Sequence, residues 1–135
     1  MSPSEGVDSR SWLERRARSF VHAGRGVWHL RTEPNARIHA FATGAVLIVA
    51  VVSRLSALEW ALIVLAIALV FAAEALNTAL EQLANATSPE HHPLVGTAKD
   101  LAAGAVLICA VGAAVIGALV LGPHLPFVAA RAFGD

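Results

Sequence analysis

The chain has 135 residues, of which 56% are hydrophobic and only 15% are charged, and its mean hydropathy is +0.63. Because soluble domains carry about 25% charged residues, these values exclude an ordinary small water-soluble fold, and a net charge of zero argues against a general affinity for nucleic acid. The single cysteine, Cys109, lies in an apolar run, so we expect neither a disulfide framework within the chain nor a cysteine metal cluster.

The amino-terminal arm, residues 1–37, is polar and carries seven of the ten Lys and Arg residues. It lacks an apolar core followed by a small-residue cleavage site, so no signal peptide is expected. Between Ser11 and Leu30 apolar residues interleave with arginines, a pattern typical of a basic amphipathic helix on a membrane surface. A solvated tail is the alternative, since the periodicity is imperfect.

Three apolar segments follow, at 38–53, 60–73 and 101–121. A helix needs about 20 apolar residues to cross a bilayer. The third segment reaches this length by itself. The second reaches it only if the acids that follow it lie on the span or at its end. The first is short and reaches the interface only if His39 and the flanking residues are included. We therefore predict an all-α integral membrane protein with three transmembrane helices at about 36–54, 59–84 and 98–121.

The distribution of basic residues predicts the topology. Seven arginines precede the first span, whereas the connection to the second span holds only Arg54. Since cytoplasmic flanks collect Lys and Arg, we expect the amino terminus and the loop at 85–98 inside the cell, where ATP is found, and the carboxyl terminus outside.

The inner half of the second span carries the most informative side chains. At 100° per residue, Glu74, Asn77, Glu81 and Asn85 fall within an arc of about 80° on one helix face. A carboxylate in hydrocarbon costs at least about 2.5–3.5 kcal/mol, so such a group should face a bundle interior, a partner charge or a cation. A structural hydrogen bond between helices is the alternative, and it suits Asn77 better than Glu74.

The carboxylate and carboxamide oxygens on this helix face are suited to binding Mg²⁺ and to accepting a proton. Mg²⁺ is usually held by one or two carboxylates together with substrate phosphates, and Glu81 at the inner interface and Glu33 before the first span are candidate ligands. Glu74 lies two turns deeper, a depth that suits a general base for a lipid alcohol. For Glu33, an interfacial acid beside Pro34 is the alternative.

The third span is expected to begin at Lys99-Asp100. A helix amino terminus attracts phosphate, which would explain a lysine there, with Asp100 orienting Lys99 or capping the helix. A snorkelling lysine beside a capping aspartate is the alternative. The preceding His91-His92 pair is interpreted as part of a solvated loop or of a loop that touches nucleotide.

Four ordered motifs resemble those of the prokaryotic diacylglycerol kinase family, which includes the undecaprenol kinases of Gram-positive bacteria. They are Glu33-x-Asn35-x-x-x-His39, Glu74-Ala-Leu-Asn77-Thr78-Ala-Leu-Glu81, Ser88-Pro-Glu90-His-His92 and Ala98-Lys99-Asp100-Leu-Ala-Ala-Gly104. The resemblance covers about residues 16–122, so we treat 16–122 as a membrane lipid kinase domain, flanked by an amino-terminal tail at 1–15 and a carboxyl-terminal tail at 123–135.

The resemblance implies a surface helix and three spans per chain, assembled as a homotrimer in the bacterial cell membrane with active sites between subunits. It also implies a role for each matching residue: catalytic base for Glu74, Mg²⁺ and ATP binding for Glu33 and Glu81, and ATP binding for Asn77, Glu90, His92, Lys99 and Asp100. One departure is Asn85, where the family usually has Asp, which puts a supporting salt bridge in doubt.

The expected function is ATP-dependent phosphorylation of a membrane lipid alcohol. The runs His92-Pro-Leu and Ala102-Ala-Gly104-Ala-Val are closer to the undecaprenol kinase form, so undecaprenol is preferred and diacylglycerol is the alternative substrate. A rival from another class is a non-enzymatic small membrane protein whose intramembrane acids serve ion or proton passage.

Overall fold

The computed structural model describes residues 9–88 and 92–133 as a helical protein. Along these residues the α-helices are Ser9–His29 (α1), Pro34–Val52 (α2), Ala57–Thr87 (α3), Pro93–Leu121 (α4) and Leu125–Phe133 (α5). Short 3₁₀ turns at Leu30–Thr32 and Gly122–His124 join α1 to α2 and α4 to α5. The predicted all-α class is confirmed for this part of the chain.

Three helical runs are long and apolar enough to cross a membrane: α2, α3, and α4 continued through α5 to Arg131. At 1.5 Å per residue α2 is about 28 Å long and α3 about 46 Å, against a hydrocarbon core of about 30 Å. Large apolar side chains such as Phe41 and Ile108 are exposed on the outer faces of the helices. Such surfaces are stable against lipid and not against water, so the structure agrees with the predicted integral membrane protein.

Each of the three long helices begins at a local sequence signal. Pro34 and Pro93 lie in the first turns of α2 and α4, where the missing N–H of proline has no intrahelical partner to lose. α3 begins with a capping box, in which the backbone N–H of Glu59 donates to the Ser56 hydroxyl and the Glu59 carboxylate accepts from the Ser56 backbone. These signals determine where the chain enters each helix.

A small apolar core closes one end of the bundle. Its buried members are Ala50, Leu55, Ile63, Val120 and Leu121. Near the same end, the Glu59 carboxylate and the His124 ring lie 3.1 Å apart, which holds the turn before α5 against the start of α3. The opposite end, where α2 and α4 begin and α3 ends, carries the polar side chains.

The two terminal segments contain helices as well. The predicted amino-terminal helix is present as α1, which begins at Ser9 and is held to α3 by a 3.0 Å hydrogen bond from the Gln82 amide to the His29 ring. The segment 123–135, to which the sequence assigned no structure, includes α5. The 3₁₀ turn joins α4 to α5 directly, and the residues on both sides of it keep right-handed helical torsions.

Candidate active site

The polar face of α3 changes from buried to exposed along one line of the helix. Glu74 is 1% exposed and Asn77 is 6% exposed. Glu81 is half-buried and Asn85 is exposed. These four side chains share the face that the sequence predicted, so the deepest carboxylate and the most exposed carboxamide belong to one continuous strip.

Glu33, Glu74 and Glu81 form an acidic cluster. The carboxylates of Glu33 and Glu81 lie within electrostatic range of the Glu74 carboxylate. Glu33 reaches this position because it is the extended residue between the Leu30–Thr32 turn and α2, and its side chain makes no capping hydrogen bond. The structure therefore brings together the three acids that the sequence singled out.

Two oxygen atoms beside this cluster have no partner. Oε2 of Glu74 and Oδ1 of Asn77 are buried and accept no hydrogen bond within the described residues. A buried polar atom without a partner costs roughly 1–3 kcal/mol, and more when it is charged. Such atoms in a native protein commonly mark the position of a ligand, an ion or water, so the strip between Glu74 and Asn77 is the best candidate for a binding site.

Lys99 and Asp100 lie farther along α4 than the sequence suggested. α4 begins at Pro93, so these residues occupy its second turn and Asp100 does not cap the helix. Lys99 is half-buried and donates to Oδ1 of Asn85 at 3.4 Å, while Asp100 is exposed. The lysine thus contacts the end of the α3 strip through a carboxamide, so this contact is a hydrogen bond and not a salt bridge.

His92 is the amino-terminal cap of α4. Its Nδ1 accepts a 3.3 Å hydrogen bond from the backbone N–H of Leu94, and its side chain is exposed. The helix dipole gives this end of α4 a partial positive charge that favours phosphate. Glu90, the other predicted loop contact, lies outside the described residues.

The acids of this site are candidate ligands for Mg²⁺. Among residues 9–88 and 92–133, no group of three or more His, Cys, Asp or Glu side chains is arranged to hold a metal ion. Mg²⁺ does not need such a group, because it usually takes one or two carboxylates, keeps several waters and shares substrate phosphates. The carboxylates of Glu33 and Glu81, with the free oxygen of Asn77 nearby, fit Mg²⁺ that arrives with a nucleotide.

His39 was given no role by the sequence reasoning beyond its place in a motif. The structure places it within electrostatic range of Glu74 and on the wall of an apolar cavity between α2, α3 and α4. The feature of the sequence that could have identified His39 is its spacing from Glu33, because six residues of helix bring His39 to the depth at which Glu74 lies.

Comparison with known proteins gives a consistent result. The family model described as prokaryotic diacylglycerol kinase matches residues 21–121. The undecaprenol kinase of Bacillus subtilis (strain 168) is 48% identical over 119 residues, which are 87% of this chain and 97% of the relative. The diacylglycerol kinase of Synechocystis sp. is 41% identical over 109 residues, which are 79% of this chain and 62% of the relative. No solved structure gives a significant match.

Proposed function

The chain belongs to the prokaryotic diacylglycerol kinase family, and from this membership we propose that it transfers the γ-phosphate of ATP to the hydroxyl of a membrane lipid alcohol. The observation that carries the proposal is the buried Glu74 carboxylate, whose Oε2 has no partner among the described residues and which lies within electrostatic range of Glu33 and Glu81. A base at this position needs a proton donor, and a lipid hydroxyl supplies one.

The length of α3 supports the depth that this reaction needs. Glu74 is 17 positions from Ala57, about 26 Å along the helix, whereas Glu81 is about 36 Å away. With the start of α3 at one face of a hydrocarbon core of about 30 Å, Glu74 lies just inside the hydrocarbon and Glu81 just beyond it. The lipid hydroxyl and the water-soluble nucleotide therefore reach the acidic cluster from opposite sides of the same boundary.

The topology follows from the arginines that precede α2. The acidic cluster lies at the cytoplasmic face of a bacterial cell membrane, where ATP is available, and the end with Glu59 and His124 faces outside. α1 lies along the cytoplasmic surface, where its arginines meet anionic headgroups and its apolar side chains meet the acyl chains.

In the reaction, Oε2 of Glu74 takes the proton of the lipid hydroxyl as the lipid oxygen forms a bond to the γ-phosphorus and the bond to the β-phosphate oxygen breaks. Glu33 and Glu81 would hold Mg²⁺ together with ATP, and Mg²⁺ bound there would supply charge neutralisation of the phosphates. Lys99 adds a positive charge beside them, with Asn77, Glu90, His92 and Asp100 as further contacts to the nucleotide. Phosphoryl transfer depends mainly on such positioning and charge stabilisation.

A polyprenol such as undecaprenol is the preferred substrate. The support is that the undecaprenol kinase relative is 48% identical and aligned over 97% of its length, whereas the diacylglycerol kinase relative is 41% identical and aligned over 62%. Diacylglycerol is the second candidate, favoured by the description of the family.

The active unit is a homotrimer. Each described chain leaves most of its apolar helix surface exposed, with only a small part of each span buried inside the chain. Gly104 and Gly112 leave open space on α4, which allows a neighbouring helix to approach closely.

The test is a lipid panel. Purified protein in bilayers is given Mg-ATP labelled on the γ-phosphate, with undecaprenol or diacylglycerol at equal mole fraction, and labelled lipid is measured. We expect transfer that depends on added lipid and is faster for undecaprenol. Faster transfer to diacylglycerol would reverse the substrate order, and no transfer to either lipid would contradict the proposed function.

A further inference from the structure

An apolar cavity of about 390 Å³ lies between α2, α3 and α4. Of the residues that line it, only His39 and Thr43 carry polar side-chain atoms, and the others are alanine, glycine or aliphatic. A cavity of this composition suits a hydrocarbon chain that brings a single polar group to one place.

The cavity leads toward the acidic cluster. On α3 its lining runs from Ile63 to Val70 along the buried face, and Glu74 follows one turn later on the same face. On α4 the lining extends from Ala110 to Leu121, about 16 Å along the helix axis. The site is thus elongated along the bundle, with its inner end next to Glu74.

His39 is the cavity residue that also interacts with the acid. Its imidazole is half-buried, lines the cavity and lies within electrostatic range of the Glu74 carboxylate. Among the described residues neither ring nitrogen is hydrogen-bonded to the protein. The ring and Oε2 of Glu74 are therefore two unused polar groups at one end of an apolar space.

We infer that His39 binds the hydroxyl of the lipid substrate beside Glu74, while the cavity holds the hydrocarbon next to that hydroxyl. The inference rests on the proposed lipid kinase function and adds to it a residue that recognises the substrate. The hydroxyl both donates and accepts hydrogen bonds: it donates to Oε2 of Glu74 and accepts from the N–H of His39. During transfer the hydroxyl proton moves to Glu74, and His39 keeps its proton.

This arrangement selects a lipid with one polar atom. A polyprenol has a hydroxyl and otherwise only hydrocarbon, which matches one histidine at the end of an apolar wall. The two ester groups of diacylglycerol would enter the same space with only Thr43 left to meet them, and a polar group without a partner is costly to bury. His39 and the apolar lining thus favour a polyprenol.

The test measures lipid KM and ATP KM separately in bilayers, for the wild type and for His39→Ala and His39→Asn. We expect the lipid KM of His39→Ala to rise about tenfold, the effect of one lost hydrogen bond, with ATP KM unchanged. His39→Asn keeps an N–H donor and should retain most of the wild-type lipid KM. His124→Asn, a histidine substitution at the opposite end of the bundle, is the matched control and should leave both constants unchanged.

A prenyl hydrocarbon without a hydroxyl separates recognition from folding. It should compete with the substrate in the wild type and bind His39→Ala equally well. An unchanged lipid KM in His39→Ala would overturn the inference, and so would equal loss of competitor binding in both His39 variants. A wild type that the hydrocarbon does not inhibit would contradict it as well, because a second chain or an ordinary bilayer lipid would then fill the cavity. Each of these results requires a wild type that phosphorylates lipid. If the wild type did not phosphorylate lipid, the proposed function would be contradicted and the role of His39 would not be at issue.

Discussion

At the scale of single residues, depth along α3 separates side chains of similar chemistry. Glu74 and Glu81 are both glutamates on one helix face, yet Glu74 is almost fully buried and Glu81 is half-buried. Burial away from water favours proton exchange with a lipid hydroxyl, whereas partial exposure permits contact with a hydrated Mg-nucleotide. Different consequences are therefore expected when each is changed to glutamine.

The Glu81→Gln variant should bind Mg-ATP more weakly. Loss of one carboxylate from the acidic cluster removes a proposed ligand of the metal, so the apparent KM for Mg-ATP should rise roughly tenfold or more. Steady-state kinetics at saturating lipid measures this change. Glu14→Gln, an exposed acid paired with Arg18 on α1, serves as the control, and a normal KM for Mg-ATP in Glu81→Gln would remove Glu81 from the nucleotide site.

The contact between Asn85 and Lys99 should become stronger in the Asn85→Asp variant. The 3.4 Å hydrogen bond would then join two charges, and a partly exposed ion pair contributes about 0.2–1 kcal/mol. A double-mutant cycle with Lys99→Met, measured as free energies of unfolding, gives the coupling energy between residues 85 and 99. The cycle separates this energy from the repulsion between the introduced carboxylate and Glu81 on the same face. Equal coupling for the amide and the carboxylate, or coupling insensitive to salt, would show that the pair does not form.

At the scale of elements, the loop between α2 and α3 carries a backbone conformation that its residue does not favour. Arg54 has a φ of 53°, in the left-handed region. A residue with a Cβ costs roughly 1–2 kcal/mol there, and glycine avoids that cost at the expense of about 0.5–1 kcal/mol of unfolded-state entropy.

We therefore expect Arg54→Gly to stabilise the folded protein by up to about 1.5 kcal/mol. The free energy of unfolding in detergent micelles measures this difference. Arg54→Ala removes the same charge and keeps the Cβ, so it should bring no comparable gain. If both variants stabilised the protein equally, the arginine charge and not the backbone would be the cause.

The start of α3 depends on its capping box. Ser56→Ala removes the hydroxyl that accepts from the backbone N–H of Glu59, which should lower the free energy of unfolding by about 1 kcal/mol. Thr87→Ala at the other end of α3 removes only a hydroxyl bonded to the carbonyl of the preceding turn and should have a smaller effect. If Ser56→Ala left the free energy of unfolding unchanged, water would satisfy the backbone N–H of Glu59 as well as the hydroxyl does.

Much of the element structure could be predicted because apolar runs and proline positions are local properties. The three long helices and the shared face of Glu74, Asn77 and Glu81 follow from hydropathy and from 100° per residue. The predicted start of α4 at Lys99-Asp100 is wrong: the helix begins at Pro93, because a proline in the first turn is the stronger helix-start signal.

The role of His39 could not be derived from spacing alone. It depends on how α2 packs against α3 and α4, and long-range packing leaves no periodic trace in a single sequence. The same holds for the contact between Glu59 and His124, which joins residues 65 positions apart.

At the scale of the whole molecule, the alternating direction of the long helices brings the start of α2, the end of α3 and the start of α4 to one end. Glu33, Glu81 and Lys99 come from these three places, so no single helix could assemble the site. The opposite end holds a small apolar core instead. One bundle thus combines an end closed by apolar side chains, an apolar interior and a polar end, which suits the proposed phosphorylation of a buried alcohol by a dissolved nucleotide.

The central claim is that the buried carboxylate of Glu74 activates the lipid hydroxyl, and the most direct measurement is γ-phosphate transfer to undecaprenol by Glu74→Gln in bilayers. We predict that this variant inserts and binds Mg-ATP like the wild type but transfers phosphate at least about 100-fold more slowly, while Glu59→Gln, an acid at the other end of the same helix, keeps the wild-type rate. Transfer by Glu74→Gln at the wild-type rate would contradict the claim.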